Sequence, residues 1–351
     1  MSQDLQQEVA AQVGVAMSGG VDSTACALLL QEMCQVHGFF MNLGQPDYPA
    51  QLERVMGITR RMGITLTVVD LRRAFTGEVL DYTAGEYCRG LTPNPCMVCN
   101  EKIKFGLLLD SVLGAGMNKL ATGHYARVTQ DTAGWHLFAG ADREKDQSYF
   151  LSRLDQHQLA RVIFPLGEQT KTETYRLVAE KGFGNFSGKE SQDICFLADS
   201  SIGEFVEKHG GRAGEPGPVL TLSGEEIGRH HGLHAYTIGQ RRGLGIAAAA
   251  PLYVVGLDPQ RNALIVGSNT DLLRSDFRVK QLHWLSGKPP APGDTLTVRL
   301  RYSHPGCPAL LAVEPGRVGT VTLCTPQRAI TPGQFAVFYQ DEELLGSGII
   351  V

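Results

Sequence analysis

No stretch of this sequence approaches the ~20 consecutive apolar residues that a membrane-spanning helix needs. Its N-terminus, MSQDLQQEVAAQ, is polar and acidic where a secretory or transit segment would be basic, so a cytoplasmic protein with no membrane partner is expected. Positive charge is not in excess either: 32 Lys and Arg against 36 Asp and Glu give a formal net charge of −4. With no global positive field, a nucleic-acid partner would have to be held by local patches. No internal repeat or low-complexity stretch stands out. Eight cysteines in a reducing compartment do not make a disulfide framework, so clustered ones point to chemistry or to metal. At 351 residues the chain has room for two or three ordinary globular domains.

A further absence is local. Ser18–Ser23 reads SGGVDS, between an apolar run from Val13 to Met17 and a helix-like run from Thr24 to Cys34, yet no lysine follows the second glycine. That excludes the phosphate loop of Walker ATPases. What remains is a strand, a glycine turn and a helix start. Gly19 and Gly20 let the backbone bring successive N–H groups against an anion, and the positive end of the helix favours phosphate. The segment resembles the PP-loop of ATP pyrophosphatases, which split ATP into AMP and pyrophosphate. The plainer alternative is a glycine turn capped by Ser23 and Asp22.

From Val13 to Gly123 strand-like runs (VGVAM, VHGFFMN, ITLTVVD, KLATGH) alternate with helix-like segments near residues 51–61 and 103–113. Such alternation implies an α/β fold with a parallel sheet covered on both faces and ligands at the carboxyl ends of its strands. SGGVDS, Met41, Asp70 and Gly123–His124 all fall at such ends, so they are expected to line one pocket. ARVTQ and WHLFAG make a hairpin, and residues 145–164 and 171–183 read as short helices. A Gly-, Pro-, His- and Arg-rich stretch near 203–245 suits a small central domain. From about Leu252 the texture is β, with LYVVGLD and NALIVGS as a hairpin and TLTVRLRYS, VGTVTL and FAVFYQ as short strands of a barrel or sandwich. The expected division is a PP-loop domain over 1–200, a small central domain over 201–270 and a C-terminal β-barrel-like domain over 271–351.

Thr92–Asn100 reads TPNPCMVCN. Prolines on either side of Asn94 stiffen an extended loop, and the two-residue gap lets Cys96 and Cys99 point at a common centre. ESQDICF supplies Cys195 far downstream. Taken in order, PNPxxxCN, ATGHYA, KDQSYFL, SQDICF, HAYTIGQRRGLGI and a final TPGQFAVFY resemble the bacterial tRNA-specific 2-thiouridylase family over essentially the whole chain.

The resemblance implies an enzyme that adenylates the C2 carbonyl oxygen of the wobble uridine of tRNA and replaces that oxygen by sulfur, releasing AMP and pyrophosphate. It implies ATP, with Mg²⁺, held by Val15, Ala16, Met17, Ser18, Gly19, Gly20, Val21, Asp22 and Ser23, with Met41 near the adenine and Gly123 beside them. Cys99 matches the nucleophile and Cys195 the persulfide-bearing cysteine. Asn94, Pro95 and Cys96 match the loop that meets the target base. Lys145, Asp146, Gln147, His124, Arg301, Tyr302 and Gln334 match tRNA-contacting positions. A sulfur donor protein or inorganic sulfide would supply the sulfur. The chemistry is coherent: oxide does not leave a pyrimidine unaided, adenylation turns it into AMP, and thiolates or persulfides are a protein's best sulfur nucleophiles. The uridine must also leave its stack.

One residue departs from the family. Where PNPD is usual, this chain has PNPC, which puts Cys96 at an aspartate position. Two routes stand open from here: a cysteine persulfide, or a [4Fe–4S] cluster held by Cys96, Cys99 and Cys195 with one open iron. A closed zinc site would add Cys88, but the spacing fits no familiar zinc pattern. Cys26, Cys34, Cys307 and Cys324 read as small core residues. His230 and His231 read as a polar loop, and Arg241 and Arg242 as solvated or phosphate-contacting. Arg299 and Arg301, at period two, suggest a basic stripe on one strand face. Two other functions fit parts of the sequence. An amidotransferase-type synthetase shares SGGVDS but lacks an evident glutaminase domain, and a non-catalytic RNA-binding module would not need three cysteines.

Overall fold

The computed structural model describes residues 12–184, 186, 194–197, 200–210 and 214–351. The acidic N-terminal residues 1–11 and the first three residues of SQDICF lie outside the described residues.

The alternating half folds as expected. Strands β1 (Gln12–Ala16), β2 (Gln35–Asn42), β3 (Leu66–Asp70) and β4 (Lys119–Ala121) are parallel. The chain then makes the hairpin β5 (Ala126–Asp131) and β6 (Gly134–Ala139) before β7 (Val162–Ile163) returns beside β4, giving the order β3-β2-β1-β4-β7. Helix α1 (Val21–Gln31) follows β1, and its small and apolar residues, Cys26 among them, are buried against the sheet. Helix α2 (Tyr48–Met62) follows β2 and ends on Gly63 in the left-handed region. Between β3 and β4 the turns Pro95–Val98, Cys99–Leu108 and Leu109–Gly114 run on as one helix, wide and π-type in its middle. This cysteine helix approaches β1 closely because Gly14 has no side chain: a Cβ there would lie 2.5 Å from Val112 and 2.9 Å from Phe39.

The segment expected as short helices over 145–164 is more mixed. It holds a 3₁₀ turn (Ser148–Leu151), one helical turn (Gln156–Leu159) and β7, a strand too short to show any periodicity. Helices α3 (Lys171–Glu180) and α4 (Ile202–Gly210) follow.

The central sheet, β8 (Gly217–Thr221), β9 (Glu226–His230), β10 (Tyr253–Asp258) and β11 (Ala263–Gly267), has the order β10-β11-β8-β9 around a small core of Val219, Tyr236, Val254, Leu264 and Val266. The last strands are β12 (Leu273–Trp284), β13 (Thr295–Arg299), β14 (Cys307–Glu314), β15 (Val318–Arg328), β16 (Phe335–Gln340) and β17 (Glu343–Ile350). They pair in the order β12-β15-β14-β13-β16-β17, and β17 pairs back to β12, so these six strands close into a barrel. Strands β12, β14 and β17 were not legible in the sequence.

The barrel is not a separate bead. Strand β17 also pairs with β6 through Glu343–Phe138 and Leu344–Leu137. Leu137, Tyr149 and Leu151 share one core with Phe335, Val337, Tyr339 and Leu344. The β5–β6 hairpin therefore welds the barrel to the parallel-sheet domain.

Candidate nucleotide and thiol site

The SGGVDS loop leaves β1 at its carboxyl end and runs into α1. Gly19 sits at φ +79°, a conformation that favours glycine, and Gly20 is the residue before the first helical turn. Neither Ser23 nor Asp22 caps the helix, contrary to the plainer reading of the sequence; no side chain does, so the first N–H groups of α1 stay open to a ligand. Ser23 instead stabilises the loop from inside. Its hydroxyl donates to the Gly20 carbonyl at 3.0 Å and accepts from the Ser18 N–H at 3.2 Å. A Cβ at Gly20 would meet Ser18 Oγ at 3.5 Å, an ordinary van der Waals contact, so a side chain can start there without a clash.

Asp22 is held from three sides. A Cβ on Gly123, just past β4, would lie 2.8 Å from its backbone carbon, so the glycine brings that strand end directly onto the loop. The Tyr125 hydroxyl donates to Asp22 Oδ1 at 2.9 Å. Lys171 Nζ, at the start of α3, donates to both carboxylate oxygens at 2.8 Å. Sequence reading missed Lys171; the pattern Thr170-x-x-Glu173 forms a capping box that announces the helix start, but nothing in it points across the chain to Asp22. Met41 packs against the core, and Asp70, at the carboxyl end of β3, pairs with Arg72 at 2.6 Å on the exposed surface.

The proline-flanked loop is shorter than expected. Asn94 is the N-cap, its side chain accepting from the Met97 N–H at 3.3 Å, and Pro95 already begins the cysteine helix. Cys96 and Cys99 are then three residues apart and share a helix face. That helix runs antiparallel to the strands, so its N-terminal end lies at the same carboxyl edge as SGGVDS. Phe105, further along it, packs its ring 5.7 Å from His124, which follows Gly123. Burial pushes Cys96 up to about 11 and Cys99 up to about 12, the neighbouring thiols oppose ionisation further, and Lys104 draws both back. Cys195 is exposed as a residue, yet desolvation of its sulfur raises it too, and it is electrostatically coupled to Cys96 and Cys99. His124 is held well below the usual imidazole range, first by burial and then by Lys104, so its ring is neutral. All eight cysteines are free thiols. Among the described residues no three His, Cys, Asp or Glu side chains converge closely enough to hold a metal ion.

With this geometry in view, three family models match in succession: the tRNA methyl transferase HUP domain over residues 11–199, the tRNA methyl transferase PRC-barrel domain over 203–268, and the aminomethyltransferase beta-barrel domain over 274–350. The tRNA-specific 2-thiouridylase MnmA of Desulfotalea psychrophila is 46% identical over 340 residues, 96% of this chain and 98% of that one. The protein of the same name from Chloroflexus aurantiacus is 44% identical over 352 residues, 97% and 98% of the two chains. The chain belongs to the tRNA-specific 2-thiouridylase family.

The positions that this 2-thiouridylase family resemblance assigned to tRNA do not form one exposed surface. Asp146 is buried; its carboxylate accepts from the Gly140 and Ser148 N–H groups at 3.1 and 3.0 Å and pairs with Arg299 at 2.6 Å. Its side chain is committed to the fold rather than offered to RNA. Gln147 accepts from the Tyr125 N–H at 3.1 Å. Gln334 Nε2 donates to the carbonyls of Thr92 and Pro93 at 2.9 and 3.3 Å, so it shapes the entry to the cysteine helix. His124 Nδ1 lies 2.7 Å from Thr122 Oγ1. Tyr302 stacks on Phe150 at 4.6 Å, and Lys145 is half-buried. The expected stripe of Arg299 and Arg301 is absent: β13 ends at Arg299, which turns inward to Asp146 and the Tyr302 carbonyl, while Arg301 is exposed in the turn beyond. Arg241 and Arg242 are exposed as well. Cys307 is buried as expected, whereas Cys324 is exposed, as is Cys88.

Raised thiol pKa values leave little thiolate at neutral pH, and alkylation needs thiolate. At pH 8, iodoacetamide is therefore expected to modify exposed Cys88 and Cys324 about tenfold or more faster than Cys96 and Cys99, with the gap narrowing as pH rises toward 10. Peptide mass spectrometry reads each site separately. Equal rates for Cys99 and Cys88 at pH 8 would contradict the buried, protonated state.

Proposed function

We propose that this chain binds ATP at the SGGVDS loop, adenylates the C2 oxygen of the wobble uridine of tRNA, and replaces that oxygen with sulfur passed through Cys195 and Cys99. The observation that carries the reading is the shared edge: the open helix start of α1 and the first turns of the cysteine helix face the same carboxyl end of the sheet. The uridine oxygen attacks the α-phosphorus and pyrophosphate leaves. The terminal sulfur of a Cys195 persulfide attacks C2, and AMP departs with the former carbonyl oxygen. Cys99, as thiolate, attacks the Cys195 sulfur and breaks the S–S bond, leaving a thiocarbonyl on the base and a Cys99–Cys195 disulfide for an external thiol to reduce. Lys104 lowers the cost of each thiolate.

Mg²⁺ suits the ATP half of this reading if phosphates and water supply most of its ligands, since Asp22 is the loop's own carboxylate and is shared with Lys171. The donor set fits a [4Fe–4S] cluster less well: Cys96, Cys99 and Cys195 are coupled without forming a metal-holding group among the described residues, so no step is derived through one. The sulfur donor, whether a protein or inorganic sulfide, is outside this chain.

Two measurements test the reading. Gly20→Val adds a Cβ whose one close neighbour, Ser18 Oγ, is at ordinary contact distance, so the fold should survive while the phosphates are blocked. Pyrophosphate release with and without tRNA should show a tRNA-dependent burst for the parent and none for the variant. Release that ignores tRNA would favour a different ATP pyrophosphatase, and none from the parent a non-catalytic RNA-binding protein. Cys96→Asp restores the commoner family residue and, under the persulfide route, keeps thiolation within about threefold of the parent, with no bound iron. Aspartate is a poor ligand for a sulfide cluster. Loss of both iron and thiolation in that variant, measured anaerobically, would replace the persulfide route by the cluster.

A further inference from the structure

The phosphate loop has no lysine of its own, yet a lysine stands at its mouth. Lys171 comes from α3, 149 residues downstream of Asp22, and its ammonium lies 2.8 Å from both oxygens of that aspartate. The side chain is largely buried, at 12% exposure, and its ammonium lies 5.6 Å from the centre of the Tyr125 ring and 5.4 Å from that of Tyr175. Helix stability does not explain the residue. A cation in the first turn of a helix opposes the helix dipole, and Thr170 and Glu173 already satisfy the end of α3 by a reciprocal capping box. The Lys171 backbone N–H is itself fixed, donating to Asp142 at 2.9 Å. The cation is thus held at a set place beside the first turn of α1.

We infer that Lys171 is a phosphate-binding residue of the nucleotide site, resting on Asp22 until the polyphosphate of ATP arrives, and that it stands in for the lysine that SGGVDS lacks. The inference rests on the ATP reading above and adds to it the source of positive charge. When the uridine oxygen attacks the α-phosphorus, the bond to the departing pyrophosphate breaks and its electron pair stays with that group. A lysine on the β- or γ-phosphate offsets the charge that accumulates there. Lys171 should therefore distinguish ATP and pyrophosphate from AMP.

The test is equilibrium binding of ATP, AMP and inorganic pyrophosphate to the full chain, for the parent, Lys171→Met and Lys171→Arg, with thermal melts to establish folding. Lys171→Met is expected to weaken ATP and pyrophosphate by about tenfold or more and AMP by less than about twofold, as loss of a charge-assisted contact to phosphate requires. Lys171→Arg, which keeps the charge, should recover most of the ATP affinity. Unchanged ATP affinity in folded Lys171→Met overturns the inference. So does an equal loss for AMP and ATP, because Lys171 would then act only by holding Asp22 in place. If Lys171→Met does not fold, Lys171→Gln decides by the same ratio: a selective loss of ATP and pyrophosphate affinity over AMP supports the contact, and a uniform loss or none overturns it. A parent that binds no ATP would refute the ATP reading itself, a separate outcome.

Discussion

Asp22 is the point on which the site depends. Two segments distant in sequence from the loop meet there: the chain just past β4, through Gly123 and Tyr125, and the start of α3, through Lys171. A loop of two glycines has little shape of its own, because glycine gains freedom rather than order. These contacts supply the order from outside. They also place one negative and one positive charge side by side at the loop, a starting state suited to the ATP-binding role proposed for it. Removing Lys171 would take away the cation that faces both oxygens of the Asp22 carboxylate and leave it the neutral Tyr125 hydroxyl, a costly change for a partly buried charge.

The same logic extends to the sulfur half. The cysteine helix begins where it does because Asn94 caps it, and the two residues before Asn94 are pinned by the barrel: the Thr92 N–H donates to the Pro332 carbonyl at 2.9 Å, and Gln334 donates back to Thr92 and Pro93. Gly333, at φ +93°, passes so close that a Cβ would lie 2.8 Å from Thr92. Barrel and thiols are therefore mechanically linked through the segment that leads into the cysteine helix. The thiols of Cys96 and Cys99 are kept protonated by burial, which slows their oxidation and adventitious alkylation.

Much of this was legible in the sequence. Val13–Met17, SGGVDS and the helix-like run after it carry local signals strong enough to give strand, turn and helix, and the parallel sheet followed from alternation. The three cysteines were visible by type and spacing. What was not legible is non-local. Lys171 looks like one exposed lysine among many until α3 folds against α1. Asp146 and Gln334 are polar residues in motifs and so read as surface contacts, but one is buried against Arg299 and the other bonds the backbone of a different domain. Arg299 and Arg301 have the spacing of one strand face, and only the early end of β13 separates them. Strands β12, β14 and β17 mix polar and apolar residues without clean alternation, because a closed barrel welded to a second domain leaves no uniform outer face.

The central claim is that the uridine oxygen is activated by ATP and leaves on AMP. It is tested most directly by following that atom. A tRNA carrying ¹⁸O at C2 of the wobble uridine is incubated with the enzyme, ATP and a sulfide source, and the AMP is weighed by mass spectrometry. The account predicts that AMP gains one ¹⁸O for each 2-thiouridine formed. Thiolated tRNA accompanied by unlabelled AMP would contradict it.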